Sequence, residues 1–175
     1  MQLNDLILKV DKEDKILGEI DKEKAHLGDG ILHRAFLVAI FDNDEKILLT
    51  KRSANKKLWP GFWDGSIASH YKNGQEIKEA VCERIFEEAG IKISDIDYFF
   101  KFYYHCSFKD IGSEKEICYF LKAKTTDDKF ILNKKEIENV QWKDVEDVKK
   151  DINKNPEIFT PWFKIAFNKI TKTSL

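Results

Sequence analysis

The spacing of apolar residues predicts a chain that opens with strands. Residues 6–10 and 16–20 are short apolar-rich segments on either side of a charged turn, which is the pattern of a β-hairpin. His33–Phe41 follows as a long apolar run, typical of a strand with both faces buried. Residues 46–51 alternate between apolar and polar side chains well enough to return antiparallel beside it.

The clearest helical pattern covers residues 75–89. Apolar residues recur there at three- and four-residue spacing, which places them on one face: Ile77, Ala80, Val81, Ile85 and Ala89. Gly90 follows at the position of a helix C-cap. The charged residues fall on the opposite side of the helix: Glu76, Glu79, Glu83, Arg84, Glu87 and Glu88. Such a face is ordinarily solvated, but paired carboxylates beside a glycine-containing loop also suit Mg²⁺ and phosphate oxygens.

The rest of the chain predicts more strands and two further helices. Residues 98–107 and 114–123 form a pair of strands joined by a turn, and residues 139–142 form a shorter strand. Helices are expected at residues 145–152 and 161–170. The sum is an α+β fold, an α-β-α sandwich with a mixed β-sheet. The length of 175 residues suits a single domain, for which about 150 residues is usual.

Composition and charge narrow the classes of function. Lys and Arg number 30 and Asp and Glu 31, so the net charge of -1 gives no electrostatic case for nucleic acid or an anionic membrane. No apolar run approaches membrane-spanning length, and the charged residues close to Met1 do not fit a signal peptide. Cys82, Cys106 and Cys118 show no CxxC spacing and suit a reducing compartment, so we expect a cytoplasmic protein.

Histidines and carboxylates suitable for metal binding occur in separate segments. His26 and His33 flank a Gly-Asp-Gly loop, and His70 ends a segment of small residues that predicts a short buried strand or a turn. Glu114 and Glu116 are two apart on a predicted strand, so both point to one face. Taken singly, these residues are more simply explained as ordinary histidines and as the solvent face of an edge strand. Together, three imidazoles and two carboxylates suit a borderline metal such as Mn²⁺ or Zn²⁺.

Residues 63–91, WDGSIASHYKNGQEIKEAVCERIFEEAGI, resemble an altered Nudix box, G-x5-E-x7-R-E-U-x-E-E-x-G-U with U apolar. The matches lie at the metal-binding end of the helix: Ile85, Glu87, Glu88, Gly90 and Ile91. The departures are Ser69 for the first Gly, Gln75 for the first Glu, and Glu83-Arg84 for Arg-Glu. The resemblance implies a Nudix fold, which has the α-β-α architecture that the predicted elements also indicate.

Flanking segments narrow the resemblance to the type I isopentenyl-diphosphate isomerases, a branch of the Nudix superfamily. The similar segments are KAHLGDGILHRAF, TKRSANKKLWPGFW, SHYKNGQE, EKEIC and TPWF, within a similarity that runs from about residue 6 to residue 167. The resemblance implies a single Nudix domain over residues 1–175. Residues 1–30 would be a strand and loop extension carrying part of the metal site, and residues 145–175 would hold the C-terminal helices.

The same resemblance implies a role for each candidate residue. The metal site of the family falls on His26, His33, His70, Glu114 and Glu116. The carboxylate that helps Mg²⁺ to grip the diphosphate falls on Glu88, and the basic residues that bind the diphosphate fall on Lys22, Arg52 and Lys56. The pocket aromatics fall on Tyr104 and Trp162, with Tyr104 and Glu116 as the proton-transfer pair. The implied reaction interconverts isopentenyl and dimethylallyl diphosphate by metal-assisted protonation and deprotonation.

One departure bears on this chemistry. The isomerases place a cysteine in a segment like N-S-x-C-x-H, where this chain has Ala68. A methyl group relays no proton, whereas a positioned acid or base is worth about 10²–10⁴-fold in rate. The three cysteines lie on other predicted elements, so none of them obviously replaces the missing one. The sequence therefore predicts an isomerase that is weakened or altered at Ala68.

Two alternatives remain open at this level. A metal-dependent Nudix hydrolase would cleave a diphosphate with metal-activated water. Glu87-Glu88 favours that function, and Arg84 and Gln75 argue against it. A catalytically inert relative would only bind a prenyl diphosphate. All three hypotheses share a small-molecule diphosphate as the partner, bound by a monomer or a homodimer.

Overall fold

The computed structural model describes residues 5–172. Within that range nine strands form one sheet: β1 (Leu6–Val10), β2 (Ile16–Asp21), β3 (His33–Phe41), β4 (Ile47–Arg52), β5 (Trp63–Gly65), β6 (Ile67–Ser69), β7 (Ser94–Phe108), β8 (Gly112–Lys124) and β9 (Ile137–Lys143). The helices are α1 (Lys22–Ala25), α2 (Ile77–Ala89), α3 (Val145–Lys154) and α4 (Pro161–Lys172), with a 3-10 turn at Pro156–Ile158. Among these described residues, no helix has the length and apolar character needed to cross a membrane.

Strand β3 is the centre of the sheet. It runs parallel to β8 along its whole length, from His33 opposite Glu116 to Phe41 opposite Lys124. It also pairs antiparallel with β1, β4 and β6. Its apolar run suits this place, because a strand covered on both faces has no polar side. The prediction of a buried strand at His33–Phe41 is confirmed.

Helices cover both faces of the sheet. Successive side chains of β3 point to opposite faces, and each set enters a separate core. One core joins β3 to α2 and includes Phe36, Val38, Val81 and Ile85. The other joins β3 to α4 and includes Leu37, Phe41, Phe163 and Phe167. This is the predicted α-β-α sandwich with a mixed sheet, so the predicted fold class is confirmed.

Helix α2 ends as predicted but buries a residue expected on its polar face. It begins at Ile77, and Gly90 caps it with a left-handed φ of 70°, donating its N–H to the carbonyl of Phe86 at 2.9 Å. Glu88 lies on the charged side of the helix, a side that is ordinarily solvated, yet it is only 5% exposed. The segment before β9 crosses the last turn of α2, where the N–H of Asn133 donates to the carbonyl of Glu88 at 2.9 Å.

Helix α1 is a single short turn that the sequence did not predict, although it leads into a candidate ligand. The polar residues before His26 indicated no regular structure. Asp21 caps the turn, because its carboxylate accepts the N–H of Lys24 at 3.0 Å. His26 takes the C-cap position, so the capped turn determines where this histidine lies relative to β2.

Residues 63–70 combine the two structures that the sequence left open. Strands β5 and β6 are separated by Ser66, whose φ of 63° turns the chain between them. The Ser66 hydroxyl donates to the carbonyl of Leu48 at 2.7 Å and accepts the N–H of Ile40 at 2.8 Å. The turn is thereby anchored to β3 and β4, and β6 runs along β3 to bring Ala68 and His70 to one cavity.

Candidate active site

A cavity of about 1100 Å³ opens between α1, the loop after β4 and one face of the sheet. Most of the residues singled out in the sequence line it: Lys22, His26, Arg52, Lys56, Ala68, His70, Tyr104, Glu114, Glu116 and Trp162. His33 is fully buried next to them, in contact with His70 and Glu116. Glu88 is not among the described residues that line the cavity, but it is paired with Arg84, which does line it.

Five candidate ligands meet at one end of the cavity. They offer one ligand atom each, and these atoms all lie within 4.8 Å of one another: His26, His33, His70, Glu114 and Glu116. Nε2 of His33, Nε2 of His70 and Oε1 of Glu116 are 3.1, 3.2 and 3.1 Å apart in pairs. An octahedral ion with ligands at about 2.1 Å has neighbouring ligand atoms about 3.0 Å apart. These three donors therefore already have the spacing of a coordinated set.

Backbone carbonyls orient two of the imidazoles. Nδ1 of His26 lies 2.6 Å from the carbonyl oxygen of Lys22, and Nδ1 of His33 lies 2.6 Å from that of Ile31. Because a carbonyl only accepts, each Nδ1 donates, and each Nε2 faces the cluster as a potential ligand. Burial lowers the pKa of His26, but the hydrogen bond to Glu114 raises it to about 9, so metal binding there displaces a proton. The donor set fits a divalent ion of borderline softness.

The sheet brings these ligands together from distant segments. His33 and Glu116 are register partners on β3 and β8, and Glu114 lies two residues earlier on the same face. His70 follows β6, which pairs with β3. The explanation of Glu114 and Glu116 as the solvent face of an edge strand is wrong: both are buried, because β8 lies between β3 and β7.

Burial sets the protonation of the groups around Glu116. Burial, and then the neighbouring His33, lower the pKa of His70 well below its usual value, so that imidazole is neutral, as a metal ligand must be. Burial raises the pKa of Tyr104 well above its usual value, and Glu116 adds to the shift. The phenol therefore stays protonated and donates to Oε2 of Glu116 at 2.5 Å.

Basic side chains line another part of the cavity. Lys22, Arg52 and Lys56 are joined there by Arg84. The loop after β4 holds Arg52 in place, because two of its carbonyls accept from Nε and Nη2 at 3.0 and 2.9 Å. Lys56 is paired with Glu136, which also lines the cavity. Clustered cations beside a set of candidate metal ligands suit a phosphate-bearing ligand.

The sequence did not identify Arg84 as a site residue. It entered only as an argument against hydrolysis, because it stands at a Glu position of the Nudix box. Its guanidinium pairs with Glu87 at 3.0 Å and with the buried Glu88. The substitution itself was the available signal, since an arginine in place of a metal-binding carboxylate indicates an anion-binding side chain.

Two aromatic rings form an apolar wall of the cavity. Tyr104 lies on β7 opposite Glu116, and Trp162 lies in the first turn of α4, with 5.9 Å between their ring centroids. Ala68 lines the same cavity. Among the described residues that line it there is no cysteine, so the structure supplies no thiol in place of the one missing at Ala68.

Comparison with known proteins identifies the family of the chain. The NUDIX domain family matches residues 31–163. Isopentenyl-diphosphate delta-isomerase of Haloarcula marismortui is 35% identical over 171 residues, covering 93% of this chain and 89% of that protein. Isopentenyl-diphosphate delta-isomerase 1 of Photorhabdus laumondii subsp. laumondii is 38% identical over 159 residues, covering 90% of each. The chain belongs to the isopentenyl-diphosphate delta-isomerase family. The resemblance seen in the sequence is thereby confirmed.

Solved structures share the Nudix fold of this member of the isomerase family. DR0079 from Deinococcus radiodurans superposes with a TM-score of 0.74 over 94% of this chain and 98% of its own, at 16% identity. The MutT protein from Methanosarcina mazei does so with a TM-score of 0.62 over 81% and 94%, at 18% identity. At such identities the likeness establishes the fold alone, and the predicted Nudix fold is confirmed.

Gly112 lies against the backbone of His26 and leaves no room there for a side chain. A Cβ added to Gly112 would lie 2.3 Å from the carbonyl oxygen of His26, which accepts the N–H of Ser113 at 3.0 Å. We expect Gly112→Ala to displace His26 and to weaken the binding of a divalent cation by about 10–100-fold, measured by calorimetric titration of metal-free protein with Mn²⁺. Asp110→Ala, in the exposed turn nearby, is the control. Equal affinities for the two variants would contradict this account of Gly112.

Proposed function

We propose that this enzyme interconverts isopentenyl and dimethylallyl diphosphate. The observation that carries the proposal is the cavity, where a five-residue ligand cluster, a basic surface and two aromatic rings line one space. The names of the relatives support the same substrate. In this proposal the histidine and glutamate cluster holds Mn²⁺ or Zn²⁺, and Mg²⁺ accompanies the diphosphate.

The basic residues of the cavity bind the diphosphate. Lys22, Arg52 and Lys56 supply cationic donors, and Arg84 adds a guanidinium that suits two phosphate oxygens. Arg84 is paired with Glu88, and a phosphate group is an alternative partner for the same guanidinium. Substrate binding would then release the buried Glu88 carboxylate for Mg²⁺.

Glu116 and Tyr104 transfer the proton on one face of the alkene. The Tyr104 hydroxyl donates to Glu116, so the pair can relay a proton to the substrate carbon. This pair protonates the terminal CH₂ carbon, which gives a tertiary cation. The other CH₂ carbon bonded to the cationic carbon then loses a proton back to the same pair, which gives the isomer, so no co-reactant is consumed. The ring faces of Trp162 and Tyr104 stabilise the positive charge. A divalent ion held by the cluster would supply positive charge that keeps the Glu116 carboxylate in place.

Incubation with isopentenyl diphosphate in D₂O, with Mg²⁺ and Mn²⁺, tests the function. We expect deuterium at carbon and formation of dimethylallyl diphosphate, measured by NMR, without release of inorganic phosphate. Protein treated with a chelator is the control and is expected to be inactive. Phosphate release would instead establish a Nudix hydrolase, and saturable binding without either product would establish an inert relative.

A further inference from the structure

Asp64 is a buried carboxylate that holds the indole of Trp162. It lies on β5, is 2% exposed, and is not among the described residues that line the cavity. The indole Nε1–H of Trp162 points at both carboxylate oxygens, at 3.0 and 2.9 Å. The Thr160 hydroxyl and the N–H of Gly65 also donate to Oδ1, at 3.0 and 2.9 Å. The carboxylate is thus fully engaged by the strand and by the start of α4.

Arg52 completes the arrangement from the cavity side. Its Nη1 is 3.7 Å from Oδ2 of Asp64, and its guanidinium carbon is 5.2 Å from the centre of the Trp162 ring. Burial raises the pKa of Asp64 above its usual value, although Arg52 and the surrounding hydrogen bonds act to lower it. A buried carboxylate is costly unless it is paired and hydrogen-bonded, and here every partner belongs to the cavity wall or its support. Asp64 is therefore placed to support the wall of the cavity.

The backbone fixes Asp64 and Trp162 relative to each other. Trp63, next to Asp64, forms a parallel bridge with Phe159, and the N–H of Thr160 donates to the carbonyl of Trp63 at 2.9 Å. A Cβ on Gly65 would lie 2.1 Å from the ring of Phe163, so strand and helix are in direct contact. The carboxylate and the indole thus meet across two elements that cannot shift independently.

We infer that Asp64 is a positioning residue of the isomerase, which fixes the Trp162 ring at the cavity wall and increases its electron density. The inference rests on the proposed isomerase function. A carboxylate that accepts an indole N–H shifts negative charge into the ring, and a more negative π-face attracts a cation more strongly. Asp64 acts through Trp162 on the tertiary cation and does not touch the substrate.

The indole N–H of Trp162 gives a test that needs no activity. Its NMR resonance is identified by its absence in Trp162→Phe. In Asp64→Asn we expect this resonance to move upfield and its hydrogen exchange to quicken, because the carboxylate acceptor is lost. An unchanged resonance overturns the inference, whatever the turnover. Thr160→Val, which removes another donor to the same carboxylate, is the matched control and is expected to affect the indole resonance less.

Turnover gives the second test. We expect Asp64→Asn to lower kcat by about tenfold with little change in KM, because the diphosphate contacts remain. In a Trp162→Phe background, Asp64→Asn should cause no further loss. Losses that multiply, or a change confined to KM, overturn the inference. Absence of deuterium incorporation in the parent and in Ala68→Cys overturns the proposed function instead, and the indole resonance keeps the two failures distinct.

Discussion

Glu116→Gln is expected to lower isomerisation by about 10³-fold or more. One oxygen of Glu116 faces the imidazoles of His33 and His70, and the other accepts the hydroxyl of Tyr104. The amide keeps the size of the side chain but loses the negative charge and one acceptor. Metal affinity should therefore fall, and proton transfer should be slower. A positioned acid or base alone is worth about 10²–10⁴-fold. Turnover is measured as deuterium incorporation from D₂O, and metal content is measured by mass spectrometry.

Glu138→Gln is the matched control for this loss. Glu138 is half-exposed and pairs with Lys51 at 3.3 Å on the outside of the protein. An exposed pair of this kind contributes little, so turnover and metal content should equal those of the parent. If Glu116→Gln keeps turnover within about tenfold of the parent, Glu116 is not the proton-transfer group and the mechanism proposed here is wrong.

Ala68→Cys is expected to raise isomerisation by about 10²–10⁴-fold. Ala68 lies on β6 opposite Leu37 of β3 and lines the cavity that also holds Tyr104 and Glu116. A thiol there would supply a proton donor and acceptor where the chain has only a methyl group. The open cavity leaves room for the added sulfur. Initial rates with isopentenyl diphosphate, at matched protein and metal concentrations, measure the gain.

Ala68→Ser separates acid–base chemistry from a simple increase in volume. Its hydroxyl is close in size to a thiol but is a much weaker acid, so we expect a smaller gain. Cys118 does not replace the missing group, because it is 1% exposed and burial raises the pKa of its thiol well above the usual value. If Ala68→Cys gives no gain, the pocket is not built for isomerisation.

The pattern of neighbouring residues was enough to predict a buried strand and an amphipathic helix. The apolar run His33–Phe41 became the central strand, and Gly90 became the left-handed cap of α2. Alternation and capping are properties of neighbouring residues, so a sequence displays them directly. The short turn of α1 was missed because its four residues show no apolar period, and Asp21 was the only signal.

Contacts between segments that are distant along the chain could not be predicted from the local sequence pattern. Periodicity does not say which strands pair, so the approach of His33 to Glu116 rested on family resemblance until the parallel register was seen. Glu88 shares the charged side of its helix with exposed residues but is itself buried, where the segment before β9 crosses the helix and Arg84 pairs with the carboxylate. Asp64 had no predicted role, because its partners Thr160 and Trp162 are 96 and 98 positions away along the chain, at the start of α4.

The parallel pairing of β3 and β8 also determines when the ligand cluster forms. His33 and Glu116 are 83 positions apart along the polypeptide, and they become neighbours only when β8 is laid beside β3. Contacts of such high sequence separation are slow to form. A cation would therefore meet its complete ligand set only after folding has finished. Cation binding would therefore slow the unfolding of the folded protein. The apolar residues of the two cores would determine how the chain folds.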